Sequence, residues 1–249
     1  MLLTMSLALV AVLVAMVGPA RAEMFVDLYT GNSFTLDGDI RVKQPALGND
    51  FTLESVSFPD SHSFSGAPYY GLRLGYFFEQ YPWLGTAIEY FHFKMFADTS
   101  GNKRLTGTRD GSSVDTSVPV GSVIQQFQIT HGVNYLMLDA LLRYPLLKDP
   151  ERFPKGRVQL YGGAGVGPVI THAEDVIDNV PNDARYEVAG AGVQGFVGVR
   201  ALLFKYVGAF VEYKFTHSSL NVSAGYGRAY VGENTHHIVG GLTFSLPSF

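Results

Sequence analysis

The stretch YGLRLGYFFE, residues 70–79, alternates between two kinds of side chain. Its even-numbered positions are all apolar, whereas its odd-numbered positions combine glycine and Phe77 with the charged residues Arg73 and Glu79. Because successive side chains of a β-strand point to opposite faces, this pattern predicts a strand with one apolar and one polar face. The same design returns in residues 135–144 and 209–216.

The connections between such segments decide which face looks outward. In a soluble barrel the apolar face forms the core, whereas in a membrane barrel it faces lipid and the polar face lines the interior. The gaps near 79–83, 145–157 and 202–206 are short to medium in length, and the gaps near 32–66, 97–127, 172–186 and 221–234 are long and polar. Short turns at one end and long loops at the other are typical of outer-membrane barrels.

Aromatic residues gather at the ends of the segments that adjoin the short turns. A girdle of aromatic side chains at the membrane–water interface is expected there. The predicted members are Phe78, Tyr81, Trp83, Tyr144, Phe153, Phe204 and Tyr206.

The chain is therefore predicted to be all-β, an eight-stranded antiparallel, up-and-down transmembrane β-barrel. The strands are expected near 24–31, 67–79, 84–96, 128–144, 157–171, 187–201, 207–220 and 235–246. An even number returns both termini to the periplasmic side, and closure leaves no unpaired edge in lipid.

Composition excludes several classes of protein. Only 16% of the 249 residues are charged and 47% are hydrophobic, the opposite of the balance in a disordered chain. The net charge of −4 offers no basic surface for nucleic acid, and the absence of cysteine rules out disulfides and thiolate metal sites.

The first residues predict a cleaved signal peptide over 1–22, leaving 23–249 as the barrel domain. Sixteen uncharged residues, 2–17, precede the small-residue motif Ala20-Arg21-Ala22. This is the arrangement of an apolar core followed by a cleavage site, although no Lys or Arg stands in front of it. A retained membrane anchor is the alternative.

Charged residues on the polar faces are predicted to point into the barrel. An eight-stranded barrel has an interior that side chains can fill, so charges of both signs are expected to form a plugging network. An ion or proton path is the alternative. The residues are Asp27, Arg73, Glu79, Glu89, Asp139, Arg143, Arg200, Glu212 and Lys214.

Two glycine-rich runs, residues 162–167 and 190–195, look like nucleotide-binding motifs. Such a motif needs a helix that begins within it, whereas here the strand alternation simply continues. Both are interpreted as strand glycines, and no cofactor is predicted. No metal site is predicted either, since the adjacent His236 and His237 would point to opposite faces of a strand.

One constellation could carry chemistry. His217 and Ser219 fall on the lipid side at the loop end of the seventh strand, and Glu233 stands at the head of the eighth. A serine, a histidine and a carboxylate can act as nucleophile, base and orienting group toward a lipid ester. The alternative is that polar residues collect where a strand leaves the membrane.

The segments 71–78 and 82–85 resemble the second and third strands of small OmpA-like outer-membrane barrel domains, and 212–217 with 234–242 resemble their last hairpin. The similarity extends over 23–249 and implies the barrel fold, while its motifs say little about function.

The last hairpin is also similar to the outer-membrane lipid A deacylases. Phe215, His217 and Ser219 match the spacing of that family, and Leu220 stands where the family has Asn. The resemblance implies catalytic roles for His217 and Ser219, with Glu233 as the acid.

The leading expectation is a non-enzymatic, monomeric protein of the cell outer membrane that presents its long loops outside. A lipid A deacylase and a narrow solute channel are the alternatives. Outer-membrane lipids, lipopolysaccharide and, during biogenesis, the barrel-insertion machinery are the expected partners.

Overall fold

The structure is a computed structural model that describes residues 23–59, 68–149 and 151–246. The predicted signal peptide lies outside the described residues. Fourteen strands run through these ranges: β1 Glu23–Thr35, β2 Gly38–Gln44, β3 Asn49–Val56, β4 Tyr70–Phe77, β5 Leu84–Phe96, β6 Asn102–Arg109, β7 Ser112–Pro119, β8 Ile124–Asp149, β9 Phe153–His172, β10 Glu174–Ile177, β11 Val180–Pro181, β12 Tyr186–Leu202, β13 Val207–Ala224 and β14 Gly227–Ser245. Within them, the helices are two single 3-10 turns, Pro45–Leu47 and Val120–Ser122. Neither of these turns is long or apolar enough to cross a membrane as a helix.

Eight of the strands pair in a circuit. The order β1-β4-β5-β8-β9-β12-β13-β14 is antiparallel throughout, and β14 pairs again with β1 over eleven residues, from Phe25↔Ser245 to Thr35↔Thr235. We call these eight strands the ring. Each predicted strand overlaps one of them, so the all-β, antiparallel part of the prediction is confirmed.

The strand count and the long loops were predicted incorrectly. Segments expected as polar loops contain β2, β3, β6, β7, β10 and β11, together with long extensions of β8, β13 and β14. Beyond the ring the sheet continues in the order β14-β2-β3-β6-β7, which we call the distal sheet. The sheet is therefore larger than a plain eight-stranded barrel. Short alternating runs such as residues 40–43, IRVK, carry these extra strands.

The polarity of the strands reverses where they leave the ring. On β13 the buried side chains Glu212, Lys214, Thr216 and Ser218 give way to Leu220, Val222 and Ala224. The opposite face changes from apolar, through Val211 and Tyr213, to polar, through His217 and Ser219. The interior of the ring thus combines charged and aromatic side chains, whereas the interior of the distal region is mainly apolar.

The apolar core of the distal region draws on several strands. Its buried members include Ile40, Val42, Phe51, Leu53, Leu105, Phe127, Leu220, Val222 and Val231. Exposed ion pairs lie on the surface, with Arg41 Nε 3.0 Å from Asp50 Oδ1 and Arg104 Nε 2.9 Å from Asp115 Oδ1. This arrangement is that of an ordinary soluble sheet.

Inside the ring, glycine makes room for aromatic side chains. A Cβ at Gly71 on β4 would stand 2.1 Å from the ring of Tyr29 on β1, its ladder partner. Tyr29 can lie flat against the wall only because Gly71 has no side chain.

Asp175 on β10 is an ionisable group within the mainly apolar core of the distal region. Its side chain is buried, and neither carboxyl oxygen has a hydrogen-bond partner among the described residues. Burial raises the pKa of this carboxyl from 3.8 to about 7, and the charge of nearby Glu187 adds to the increase. The folded protein therefore favours the neutral acid.

We predict that Asp175→Asn stabilises the distal region at neutral pH. An acid whose pKa rises on folding opposes folding as the pH climbs from its unfolded value of 3.8 to its folded value near 7. Removing the charge should raise local stability by about 1–3 kcal/mol at pH 7, with the gain vanishing below pH ~4. Hydrogen exchange of the β10 amides measures this gain, with the exposed Asp183→Asn as control. An equal gain at pH 4 and pH 7 would contradict the assignment.

Candidate functional site

The outer face of the ring is apolar. Fifteen aliphatic side chains on this face are each at least 37% exposed: Leu28, Leu72, Leu74, Ile88, Leu136, Leu138, Leu142, Leu160, Val166, Val193, Val197, Val199, Val211, Ile238 and Leu242. They come from all eight strands and form one belt around the ring. Monomeric soluble proteins rarely expose contiguous apolar patches of more than a few hundred Å².

Aromatic side chains border the belt at the short-turn end. Tyr81, Trp83, Tyr144, Phe204 and Tyr206 are exposed there, as predicted. Phe78 is half-buried. The prediction for Phe153 was wrong: its side chain is only 7% exposed.

The interior of the ring holds a network of charged side chains. Eight of the nine residues predicted to point inward are buried: Asp27, Arg73, Glu89, Asp139, Arg143, Arg200, Glu212 and Lys214. Glu79 is the exception and is exposed, because β4 ends at Phe77 and Glu79 belongs to the following turn.

Arg73 lies at the centre of this network. Its guanidinium group donates to Glu212 on β13 through Nη1 (2.8 Å) and Nη2 (2.9 Å), and to Glu89 on β5 through Nη2 (2.8 Å). The group lies 4.5 Å from the centroid of the Phe196 ring on β12. A single side chain on β4 thus ties together strands that are not neighbours in the ring.

Further links cross the interior. Lys214 Nζ donates to Glu89 Oε1 at 2.7 Å, and Arg200 Nη2 donates to Asp27 Oδ2 at 2.8 Å. Gln194 Nε2 lies 2.6 Å from both Glu89 Oε2 and Asp139 Oδ1. Buried charges are tolerated when they are paired and hydrogen-bonded in this way.

A second polar layer lies between the charged network and the distal core. Glu233 accepts hydrogen bonds from Ser218 Oγ (2.9 Å), Thr216 Oγ1 (3.0 Å) and the Tyr135 hydroxyl. Thr216 Oγ1 also lies 2.9 Å from His237 Nε2. All five side chains are buried, so the layer closes the interior and is not open to a substrate.

The constellation predicted to carry ester chemistry is not assembled. His217 and Ser219 point outward from β13, and His217 Nδ1 lies 2.8 Å from Asn234 Oδ1. Glu233 pairs in register with Ser218, so its side chain points into the ring, on the opposite face of the sheet. The predicted register across the hairpin is therefore corrected: β13 and β14 continue to Ala224 and Gly227, and a two-residue turn joins them.

The glycine-rich runs 162–167 and 190–195 lie in the middle of β9 and β12, two neighbouring strands. No helix follows either run within the described residues. Their interpretation as strand glycines is confirmed. His236 and His237 do point to opposite faces: His236 Nδ1 lies 2.7 Å from the exposed Tyr213 hydroxyl, whereas His237 is buried.

A group of potential metal ligands that the sequence interpretation missed lies at the rim of the belt. His131, His172 and Glu174 each bring one donor atom within 4.8 Å of the other two. The spacing of His172 and Glu174 places them on one face of an extended chain. His131, forty-one residues earlier, joins them only through the pairing of β8 with β9 and β10, which no local pattern reveals.

Comparison with known proteins gives structural similarity only. No family model and no curated protein matches the chain. The chain is similar to the outer membrane protein OprG from Pseudomonas aeruginosa at 14% identity (TM-score 0.47, covering 92% of this chain and 97% of that one). It is similar to Neisserial surface protein A at 10% identity (TM-score 0.43, covering 92% and 98%). A third similar structure is the N-terminal β-barrel domain of Pseudomonas aeruginosa OprF, at 10% identity (TM-score 0.39, covering 90% and 98%). Identities of this size leave function to be argued from the residues of this chain.

We predict that Arg73→Met strongly destabilises the ring. The substitution leaves Glu212 and Glu89 without their shared cation in the interior, and breaking a buried pair costs about 3–5 kcal/mol. Arg41→Met is the matched control, because its exposed pair with Asp50 is worth at most about 1 kcal/mol. Urea unfolding in detergent micelles measures both variants. Equal losses would show that the network does not stabilise the ring.

We further predict that the protein forms no large, stable channel. The charged network and the Glu233 layer fill the interior of a ring whose size leaves room for side chains alone. Planar-bilayer recordings should show no sustained conductance steps from the purified protein. Large, stable steps that follow protein concentration would contradict this.

Proposed function

We propose that the ring is a transmembrane β-barrel of the bacterial outer membrane and that the protein acts as a non-enzymatic surface protein. The observation that carries this proposal is the inverted polarity of the ring: its charges are buried and its aliphatic side chains are exposed. In water this arrangement would be unfavourable, because it buries charged groups and exposes aliphatic side chains to solvent. In a bilayer both faces are satisfied.

The dimensions of the belt support a membrane span. From Leu136 to Tyr144, at a rise of about 3.3 Å per residue and a tilt of about 40°, the outward face of β8 climbs about 20 Å. The apolar band of such barrels is about 25 Å tall. Tyr144 then belongs to the interfacial girdle at one end, and the polar His217 and Ser219 stand just beyond the other.

In this proposal the distal sheet faces the outside of the cell. Short turns face the periplasm in such barrels, and both β1 and β14 have their terminal ends on that side, at Glu23 and Ser245. The distal sheet then stands outside the cell, with its own core and with exposed ion pairs on its surface.

Outer-leaflet lipid and lipopolysaccharide surround the belt in this proposal. The barrel-insertion machinery assembles the protein, which functions as a monomer.

A surface role is preferred to the two alternatives because of the geometry. A deacylase needs His217, Ser219 and an acid in contact, and the acid lies on the other face of the sheet. A channel needs an open interior, and the interior is crossed by ion pairs.

We expect Leu138 to contact lipid and Ser113 to contact water. The natural chain has no cysteine, so the single-cysteine variants Leu138→Cys and Ser113→Cys can each carry one nitroxide label. In vesicles, the label at 138 should be relaxed by oxygen, which dissolves in lipid, and the label at 113 by a water-soluble nickel complex. A soluble protein would show neither the lipid preference at 138 nor retention in membranes after a carbonate wash.

The side of the membrane is tested with the same label sites. Ser113 lies near the tip of the β6–β7 hairpin, and Lys205 lies in the short turn between β12 and β13; both are exposed. On intact cells, a membrane-impermeant maleimide should label Ser113→Cys but not Lys205→Cys, and permeabilisation should reveal the second site. The reverse pattern would show that the protein has the opposite orientation in the membrane. If neither site is labelled, either on intact cells or after permeabilisation, the protein is not in the outer membrane.

A further inference from the structure

Three side chains from three strands converge at the outer rim of the belt. His131 comes from β8, His172 is the last residue of β9, and Glu174 is the first residue of β10. The Nδ1 atoms of His131 and His172 lie 3.6 Å and 3.7 Å from the same carboxylate oxygen, Glu174 Oε1. Two imidazole nitrogens and one carboxylate oxygen thus point at one small volume.

The backbone holds His131 in place. Gly132, the next residue, has φ +93°, a conformation that residues with a side chain rarely adopt. A Cβ there would also stand 2.0 Å from the ring of His92. The backbone that follows His131 is therefore fixed by a glycine that packs against His92.

Packing also orients the second imidazole. The rings of His131 and His172 approach edge to face, with centroids 4.4 Å apart, and Tyr186 on β12 lies edge to face with His172 at 5.0 Å. The side chain of His172 is 15% exposed, and its Nδ1 atom is buried with no hydrogen-bond partner among the described residues. A buried imidazole nitrogen without a partner is an unsatisfied polar group that a cation would satisfy.

We propose that His131, His172 and Glu174 form a binding site for a divalent transition-metal ion at the outer rim of the barrel. Two histidines and one carboxylate form a known zinc donor set, in which a water molecule fills the fourth position. The distances of 3.6 Å and 3.7 Å to Glu174 Oε1 are close to the edges of a tetrahedron with bonds of about 2.0–2.1 Å, and all three donor atoms lie within 4.8 Å of one another, so binding requires side-chain movements that bring the donors together. Imidazole ligands favour Zn²⁺, Cu²⁺ or Ni²⁺ over Mg²⁺ or Ca²⁺.

Metal binding to the purified, tag-free protein in detergent micelles tests the site. Zn²⁺ competition against a chromophoric chelator should show one site in the wild-type protein. His172→Ala and His131→Ala should each weaken it at least about tenfold, since even the loss of an outer-shell partner costs that much. Glu174→Gln, which keeps the shape of the side chain, should also weaken binding and guards against an effect of misfolding.

The matched control is His217→Ala, which removes an exposed histidine of the same outer face. This variant should bind Zn²⁺ as the wild-type protein does. Unchanged affinity in His172→Ala, or an equal loss in His217→Ala, would overturn the proposal.

Copper spectroscopy gives a second readout. Electron paramagnetic resonance of the Cu²⁺-loaded protein should show coupling to two imidazole nitrogens, and to one in His131→Ala. Coupling that is unchanged in this variant would place the ion elsewhere. The site does not depend on the proposed surface role, because neither measurement requires the protein to be in a cell.

Discussion

The structure depends on the pairing of Arg73 with Glu212 and Glu89 inside the ring. A narrow ring that turns its aliphatic side chains outward fills its interior with aromatic and charged side chains, such as Phe91, Phe196 and Arg73. The charged groups link strands across this interior, because hydrogen bonds to a guanidinium are strong where water is excluded. Arg73 on β4 bonds to side chains of the neighbouring β5 and of the more distant β13, so interior side chains link strands across the ring. The glycine at Gly71, which admits Tyr29 to the same space, follows from this crowding.

The second constraint is the reversal of polarity along single strands. β13 and β14 pass from the ring into the distal region without a break in their pairing. Side-chain polarity changes on both faces of β13. The inner face changes from the charged Lys214 to the apolar Leu220, and the outer face from the apolar Val211 to the polar Ser219. The exposed, polar His217 and Ser219 stand where the apolar belt ends. The rim that separates the two regions is also where His131, His172 and Glu174 meet.

Much of the fold could be predicted from the alternation of apolar and polar residues alone. The eight ring strands and the burial of Arg73 and Glu212 follow from a period of two, because one face of each strand had to be charged and one apolar. The distal strands were missed because runs such as residues 40–43 are short and lie among glycine and aspartate, which are typical of loops. Glu233 was misplaced because a long loop was expected over residues 221–234, whereas β13 and β14 extend into this segment and only a two-residue turn joins them. The cluster of His131, His172 and Glu174 could not be predicted from the sequence, because its members meet only through the pairing of distant strands.

The pairing of β1 with β14 has a consequence for how the chain acquires its structure. Phe25 and Ser245 stand at opposite ends of the described chain and yet are ladder partners. Every other link in the ring joins strands that follow one another in the circuit as the chain emerges, whereas this one must wait for the last strand to be made. Until then two edges with free backbone groups exist, and neither tolerates lipid. In the proposed bilayer setting, assembly must therefore shelter an open sheet, and a chain cut short within β14 would lose the closure of the ring as well as one strand.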